Sequence, residues 1–261
     1  MASSMPKVLH KIAGKPLLLH VLETAHSLEC ENLQVVTGFG SEAVERAMDK
    51  WATRFVLQEE QLGTAHAVMQ TIDTLDENAV VLILYGDVPL IKKATLEALL
   101  AQVDENSMAV LTCDVPDPTG LGRIIRDKSG QISRIVEEKD ATIEQKSVIE
   151  INTGFMAIPV NRLKTWLPKI EANNAQKEYY LTDLVEVAIA DGCRVETSKC
   201  EDQKEVTGIN DRIQLAELER KYQLEMHEEL MKKGVSLADP ARFDIRGNAT
   251  IAADVEIDIN V

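Results

Sequence analysis

No stretch of the sequence approaches the roughly 20 consecutive apolar residues that a bilayer-spanning helix needs, so we expect no membrane segment. Positive charge is also scarce, because 28 Lys and Arg residues stand against 43 Asp and Glu residues and leave a formal net charge of -15. An acidic chain is poorly suited to bind nucleic acid or an anionic membrane surface. A small anionic substrate is still compatible with it, since one local cation can reverse the field inside a cleft.

Cysteines are few, and their spacing argues against a disulfide framework or a cysteine-rich metal site. The four thiols are scattered along the chain without a C-x-x-C pair, which is typical of a protein from a reducing compartment. Residues 1–7 carry no signal-peptide pattern. The sequence therefore predicts a cytoplasmic protein. The cysteines are Cys30, Cys113, Cys193 and Cys200.

Apolar residues, in contrast, are plentiful, since 45% of the 261 residues are hydrophobic. Strand-like and helix-like segments alternate in the first part of the chain, which is typical of βαβ units in a Rossmann-like, doubly wound, mostly parallel sheet. The runs 79–85 and 108–113 are continuously apolar and predict strands buried on both faces. Predicted strands lie at 33–37, 55–57, 79–85 and 108–113, and predicted helices at 15–29, 42–50, 64–72 and 95–103.

The second part of the chain has a different pattern. A hairpin is predicted around residues 128–130, followed by a strand at 149–158 and helices at 161–170 and 181–190. A long helix at 211–233 ends at a glycine.

The last residues, 243–261, alternate short apolar steps with Gly, Asn and Asp, as in the first turns of a left-handed parallel β-helix. We therefore predict an α/β domain over residues 1–210, a connecting helix over 211–234 and the start of a β-helix over 235–261.

Several polar residues lie where an α/β sheet usually binds ligands. Asp87 follows the apolar run 79–85, and a carboxylate at the carboxyl end of a strand is a candidate Mg²⁺ ligand. A turn residue that caps the next segment is an equally good interpretation. Residues 58–64 place amides and a glycine between a strand and a helix, which suits phosphate or a base edge but also an ordinary capped turn.

Four further residues are ambiguous by themselves. Gly122 can allow close approach to a ligand or can simply form a tight turn. Asn152 lies in a predicted strand, where Asn is disfavoured, and hints at a site. Glu137 is compatible with a sugar ligand or with a solvated strand end, and Asn210 with a metal ligand or a helix cap.

The order of these motifs is far more specific than any one of them. Together they closely resemble the N-acetylglucosamine-1-phosphate uridylyltransferase domain of bifunctional bacterial enzymes, over essentially the whole chain. The motifs are Pro6-Lys7-Val8-Leu9, Gln58-Glu59-Glu60-Gln61-Leu62-Gly63-Thr64, Tyr85-Gly86-Asp87-Val88-Pro89-Leu90, Pro118-Thr119-Gly120-Leu121-Gly122-Arg123, Ile135-Val136-Glu137-Glu138-Lys139-Asp140, Glu150-Ile151-Asn152-Thr153-Gly154, Glu178-Tyr179-Tyr180-Leu181-Thr182-Asp183 and Gly208-Ile209-Asn210.

The resemblance implies that UTP and N-acetylglucosamine 1-phosphate react to give UDP-N-acetylglucosamine, a precursor of peptidoglycan and lipopolysaccharide, and pyrophosphate. It implies that Asp87 and Asn210 hold Mg²⁺ and that Lys7 contacts phosphate, with Lys7 and Asp87 as the catalytic pair. It assigns the uracil region to Gln58, Gly63 and Thr64. It assigns the sugar to Gly122, Glu137, Asn152 and Thr182, with Tyr180 nearby and with Tyr85 and Gly86 lining the cleft between.

The amino terminus departs from the family pattern. Members begin with a strand and a glycine-rich loop that carries an arginine, and this sequence starts close to the Pro-Lys-Val-Leu motif that follows them. We therefore expect weak or no turnover from this chain. Because the absent strand lies inside the family's sheet, we also expect the gap to be closed by rearrangement, strand exchange or association with another chain.

Other functions stay open at this point. The chain could act on another sugar 1-phosphate, or it could be a non-catalytic subunit that binds nucleotide sugars. The resemblance further implies a homotrimer of the complete protein, assembled through the β-helix. The five histidines form no motif and are interpreted as solvated or core residues.

Overall fold

The computed structural model describes residues 1, 3–51 and 54–261. Its strands, numbered in chain order, are β1 Lys11–Ile12, β2 Lys15–Pro16, β3 Gln34–Thr37, β4 Arg54–Leu57, β5 Val80–Ile83, β6 Ser107–Asp114, β7 Arg123–Arg126, β8 Ile132–Val136, β9 Glu150–Pro159, β10 Arg194–Cys200, β11 Ser236–Leu237 and β12 Glu256–Ile257. Its α-helices are α1 Leu17–Ser27, α2 Ser41–Met48, α3 Thr64–Met69, α4 Lys93–Leu100, α5 Ile143–Lys146, α6 Val160–Trp166, α7 Leu184–Ala190 and α8 Arg212–Lys232.

A mixed six-stranded sheet lies at the centre of the molecule. Its strands follow the order β10-β6-β9-β7-β8, and β5 also pairs with β9. Of the strand pairs described in this sheet, only β10 and β6 pair in parallel, whereas β9 pairs antiparallel with β5, β6 and β7 and β7 pairs antiparallel with β8. The prediction of a mostly parallel sheet is therefore wrong. The apolar runs identified the strands correctly, but the direction of each strand depends on the path of the chain between them.

The long strand β9 organises this sheet. Strand β6 lies along one edge of it, with a register shift between Val110 and Thr112. The other edge is shared, because β5 pairs with residues 156–159 and β7 pairs with Ile151. The segments that carry the predicted metal ligand and the predicted sugar contacts thus meet on one strand.

The strands β3 and β4 form a separate parallel pair. In the part of the chain that the structure describes, β9 is the only strand that pairs with β5. Rearrangement within this chain therefore does not supply a second neighbour for β5 among those residues. Strand exchange and association with another chain stay predictions.

The core lies on both faces of the central sheet, since residues of β6 alternate between two apolar clusters. Met108 and Val110 pack with residues of α6 and α7, including Trp166, whereas Leu111 packs with residues of α4, including Leu99. All five side chains are fully buried. Helices thus cover both faces of the sheet, as the sequence predicted.

Helix α8 confirms the predicted long helix nearly residue for residue. The Asp211 carboxylate accepts hydrogen bonds from the backbone N–H groups of Ile213 and Gln214, both at 2.8 Å, and caps the first turn. Gly234, with φ of +93°, follows the last turn. None of the described helices combines the length and the apolar character needed to cross a membrane.

Two elements near the amino terminus were not predicted. A hairpin formed by β1 and β2 turns at Ala13 and Gly14, and the Ala13 N–H donates to the Glu219 carboxylate of α8 at 2.7 Å.

Helix α1 begins at Leu17, so Pro16 precedes the helix instead of lying in its first turn. Helix α2 starts at Ser41, one residue before the predicted helix, and Gly40 precedes it in the left-handed conformation.

Candidate functional site

Three predicted site residues from distant parts of the chain meet at one point. The Lys7 ammonium forms an ion pair with the Asp87 carboxylate and donates a hydrogen bond to the Asn210 side-chain oxygen at 2.9 Å. Lys7 lies in a short 3-10 helix, Asp87 in the loop after β5, and Asn210 just before α8. We refer to Lys7, Asp87 and Asn210 as the cation end of the site.

Backbone contacts fix the cation end. The Ile209 N–H donates to the Asp87 carbonyl at 3.0 Å, which ties the segment before α8 to the loop after β5. The amino group of Met1 donates to the Asn210 carbonyl at 2.9 Å. The Lys7 ammonium thus brings positive charge to Asp87 and Asn210 in a corner of an acidic protein.

The oxygens at the cation end suit a divalent cation. Asp87 Oδ2 and Asn210 Oδ1 contact the same Lys7 nitrogen, so both oxygens already face one cation-sized position. Carboxylate and amide oxygens are ligands of Mg²⁺, which proteins commonly hold by one or two carboxylates together with substrate phosphates. Asp87 and Asn210 are thus the residues of this chain that could hold the predicted Mg²⁺ ion.

The residues predicted to contact the base form a second group, which we call the base end. The Gln58 amide nitrogen donates to the Gly63 carbonyl at 3.1 Å. Gly63 has φ of +117°, and a Cβ on it would lie 2.5 Å from the Tyr179 carbonyl oxygen. No larger residue fits there without displacing backbone, so the glycine is required by close packing as well as by its conformation.

The base end is joined to the Glu178-Asp183 motif by hydrogen bonds resembling a short strand pair. The Tyr179 N–H donates to the Leu62 carbonyl at 2.8 Å, and the Ala65 N–H donates to the Tyr179 carbonyl at 2.9 Å. The Leu181 N–H donates to the Thr64 hydroxyl at 3.0 Å. Two motifs more than 110 residues apart therefore form one unit.

The predicted sugar contacts also lie together, and we call them the sugar end. The Thr182 hydroxyl donates to Glu137 Oε1 at 3.2 Å. A Cβ on Gly122 would lie 3.3 Å from the same oxygen, so the glycine lets the strand pass close to the carboxylate. Burial raises the pKa of Glu137, partly offset by the Thr182 hydrogen bond. A half-buried acceptor of this kind suits sugar hydroxyls.

Asn152 is placed by β9, and its side chain has a local partner. Its N–H donates to the Gly122 carbonyl at 2.9 Å, and its side-chain oxygen accepts from the Gly154 N–H at 3.0 Å. Gly154 has φ of +90°, and a Cβ there would lie 2.5 Å from the Tyr85 ring. The Asn-Thr-Gly sequence thus forms a strand irregularity that makes room for Tyr85.

Tyr85 lies between the three ends of the site. Burial raises its pKa to about 12, and the charges of Glu137 and Asp87 act in the same direction, while a hydrogen bond with the Thr64 side chain opposes them. The phenol therefore stays protonated at neutral pH. Gly86 packs against Leu18, and a Cβ on Gly86 would lie 3.1 Å from Leu18 Cδ1, so its small size serves packing.

Tyr180 and Glu137 line a cavity of about 460 Å³ beside the sugar end. Tyr180 is 8% exposed, and burial raises its pKa to about 12. The cavity wall is acidic, and burial together with the charge of Glu186 raises the pKa of Asp183 to about 6. Its dimensions are in the range of small-molecule sites.

Sequence reasoning missed two residues of this arrangement. His66 was interpreted, like the other histidines, as a solvated or core residue. In the structure its Nδ1 lies 2.9 Å from the Gln58 amide nitrogen, and its ring stacks on Tyr179 with 6.3 Å between the ring centroids. Asp183 was noticed only as the end of a motif. The available signal for His66 was its position in α3, two residues after Thr64.

Residues 1–142, more than half of the chain, match the MobA-like NTP transferase domain. The chain belongs to this family.

Close relatives share about half of the sequence. The chain is 50% identical over 261 residues to the bifunctional protein GlmU of Alkalilimnicola ehrlichii, 52% over 260 residues to that of Cellvibrio japonicus and 51% over 261 residues to that of Stutzerimonas stutzeri. Each comparison covers 100% of this chain but only 56%, 57% and 58% of the relative. The chain thus spans just over half the length of these proteins.

The fold resembles that of a solved UDP-glucose pyrophosphorylase. The crystal structure of an apo UDP-glucose pyrophosphorylase superimposes with a TM-score of 0.65, covering 85% of this chain and 92% of that chain at 16% identity. The likeness confirms the predicted nucleotide-diphospho-sugar transferase architecture, with the mixed sheet in place of the mostly parallel one.

Proposed function

We propose that this chain carries the site at which the uridylyl group of UTP is transferred to N-acetylglucosamine 1-phosphate, a reaction that forms UDP-N-acetylglucosamine and releases pyrophosphate, with weak turnover expected from this chain itself. The observation that carries the proposal is the cation end, where Lys7, Asp87 and Asn210 converge although they lie up to 203 residues apart. The identity of about half of all residues to GlmU proteins and the family match support the same reaction class.

In the proposed reaction, an oxygen of the sugar phosphate attacks the α-phosphorus of UTP. The new P–O bond forms as the bond to pyrophosphate breaks, and pyrophosphate leaves with the electron pair. Such chemistry depends on positioning and on charge neutralisation more than on covalent catalysis. A Mg²⁺ ion held by Asp87 and Asn210 would neutralise charge on the phosphate oxygens.

The remaining residues position the two substrates. The base end binds uracil and, through its backbone contacts with Tyr179, keeps a fixed distance from the sugar end. The Glu137 carboxylate and the Thr182 hydroxyl oxygen accept hydrogen bonds from the sugar hydroxyls, since the Thr182 O–H is already donated to Glu137. Lys7 supplies a cation to phosphate, and it can leave Asp87 because its side chain is 36% exposed and flexible.

A binding experiment tests the proposal and separates substrate contacts from the rate of the chemical step. The affinity for UDP-N-acetylglucosamine is measured by calorimetry over a Mg²⁺ series for the native chain, Asp87→Ala and Asp114→Ala. Asp114 is a matched control, since it is an exposed carboxylate at the end of β6 that pairs with Lys199 at 2.7 Å. We expect Mg²⁺-dependent binding that falls at least tenfold in Asp87→Ala and is unchanged in Asp114→Ala.

Each other result has a defined meaning. Equal binding by the native chain and Asp87→Ala would contradict the metal assignment. Tight binding whose affinity does not depend on Mg²⁺ would favour a non-catalytic subunit that binds nucleotide sugars. Tighter binding of a glucose or mannose nucleotide would favour another sugar nucleotidyltransferase.

Three further features belong to the proposal. Residues 235–261 are the start of a left-handed β-helix, which the parallel pairing of β11 with β12 supports. The complete protein assembles as a homotrimer through that β-helix. The product serves peptidoglycan and lipopolysaccharide synthesis in the cytoplasm. Sedimentation of the complete protein tests the trimer, since a monomer at micromolar concentration would exclude it.

A further inference from the structure

The orientation of the Gln58 carboxamide is fixed by its neighbours. Its nitrogen lies 3.1 Å from the Gly63 carbonyl, which can only accept, so the atom that faces Gly63 must be the NH₂ group. The same nitrogen lies 2.9 Å from His66 Nδ1. Both hydrogens of the NH₂ group are therefore used within the protein, and His66 Nδ1 must be the acceptor.

This arrangement leaves the Gln58 oxygen for a ligand. Among residues 1, 3–51 and 54–261, no hydrogen bond reaches that oxygen, and Gln58 is half-buried between β4 and α3. A carboxamide that rotates by 180° exchanges its donor and its acceptor, so a freely rotating Gln58 could serve either kind of base edge. A rotation by 180° would place the Gln58 oxygen against both the Gly63 carbonyl and His66 Nδ1, so His66 adds a second acceptor to the hold that the Gly63 carbonyl already provides.

The His66 ring is itself held in place. It stacks on Tyr179, whose backbone is hydrogen-bonded on both sides to residues 62 and 65. On the other side, the Gln70 carboxamide lies 3.2 Å from His66 Nε2. Because Nδ1 accepts a hydrogen bond, the proton of the neutral ring is on Nε2. The Gln70 carboxamide can turn its oxygen toward this N–H, and it then loses the 3.1 Å hydrogen bond between its nitrogen and the His66 carbonyl.

We propose that His66 is a positioning residue that holds the Gln58 oxygen toward the nucleotide and thereby selects a base that offers an N–H group. Uracil presents N3–H, whereas cytosine presents an unprotonated N3 acceptor that would face the Gln58 oxygen. The inference rests on the proposed function and extends it, because it assigns the choice of base to a residue that need not touch the base.

The test compares two substitutions at one position. His66→Phe keeps an aromatic ring against Tyr179 but has no acceptor, whereas His66→Asn keeps an acceptor near the place of Nδ1 and gives up the ring. The affinities for UDP and for CDP are measured by calorimetry with the native chain and both variants, in the same Mg²⁺ buffer. Thermal melting of each variant checks that it is folded.

We expect the native chain to prefer UDP and His66→Phe to lower the UDP-to-CDP affinity ratio about tenfold, the value of one hydrogen bond. His66→Asn restores most of the ratio. An equal loss of affinity for both nucleotides in His66→Phe, or an unchanged ratio, would overturn the inference while leaving the proposed function intact. A native chain that binds no uridine nucleotide would refute the proposed function itself, and this inference with it.

Discussion

Two apolar runs that look alike in the sequence have different environments in the structure. Residues 107–113 of β6 are buried without exception, between β10 on one side and β9 on the other. Strand β5 has one strand partner among the described residues, and its Val80 is 44% exposed while the next three residues are half-buried. Both runs were predicted to be buried on both faces, and the prediction is right for β6 and wrong for β5.

The difference teaches that burial of a strand depends on its neighbours as much as on its composition. An apolar run indicates that a strand can be buried. Its side chains are covered only where neighbouring strands, and the helices that pack on them, are present. This matters for function, because the loop after β5 carries Asp87 while β9 and the hairpin β7–β8 carry the sugar end. The candidate site therefore combines residues from the half-exposed strand β5 with residues from the more tightly packed part of the sheet.

The largest expected effect is the loss of stability when a leucine of β6 or β5 is truncated to alanine. Leu111→Ala in β6 should lower the free energy of unfolding by about 3 kcal/mol, because the side chain is fully buried and its truncation leaves a cavity. Leu82→Ala in β5 should cost only about 1 kcal/mol, since the side chain is half-buried and loses less contact. Urea unfolding followed by circular dichroism measures both, and equal losses would show that the two strands are equally packed.

A second prediction concerns the edge of β5. An exposed apolar strand edge favours pairing with another chain, so we expect the protein to self-associate as its concentration rises. Val80→Lys should weaken this association about tenfold, because a lysine on an edge strand opposes pairing. Analytical ultracentrifugation measures the change. Ile213→Lys, at an exposed position of α8, is the control, and a similar loss in that variant would remove β5 from the interface.

The smallest effect concerns Asp183, at the start of α7 on the well-packed side. Its pKa is raised from 3.8 to about 6 by burial and by the charges of Glu186, Glu137 and Asp140. Between those values the folded protein binds more protons at this carboxyl than the unfolded chain does, so stability contributed there is lost as pH rises from about 4 through about 6.

Asp183→Asn should flatten the pH dependence of stability over that interval. The change should be about 1 kcal/mol or less, since the carboxyl is half-exposed and water screens it. Urea unfolding at a series of pH values measures it. An unaltered slope in the variant would assign the pH dependence to other carboxyls.

Much of the candidate site was predictable because the motifs, taken in order, resemble those of a known family. That resemblance implied that Asp87 and Asn210 share one metal ion, and the structure brings their oxygens to the same nitrogen. His66 was not predictable, since its importance comes from a contact with Gln58 across a turn and from a ring contact with Tyr179, 113 residues away. Residue types and spacing do not report which side chains face each other.

The sequence by itself determined where β6, β9 and α8 lie, because apolar runs and helix caps depend on neighbouring residues along the chain. Only the tertiary structure decided that β9 runs antiparallel to both β5 and β6, that β5 is left half-exposed, and that Tyr179 joins the base end to the sugar end. The physical reason is that strand direction, burial and side-chain contact are properties of pairs of segments, and pairing depends on the path of the whole chain.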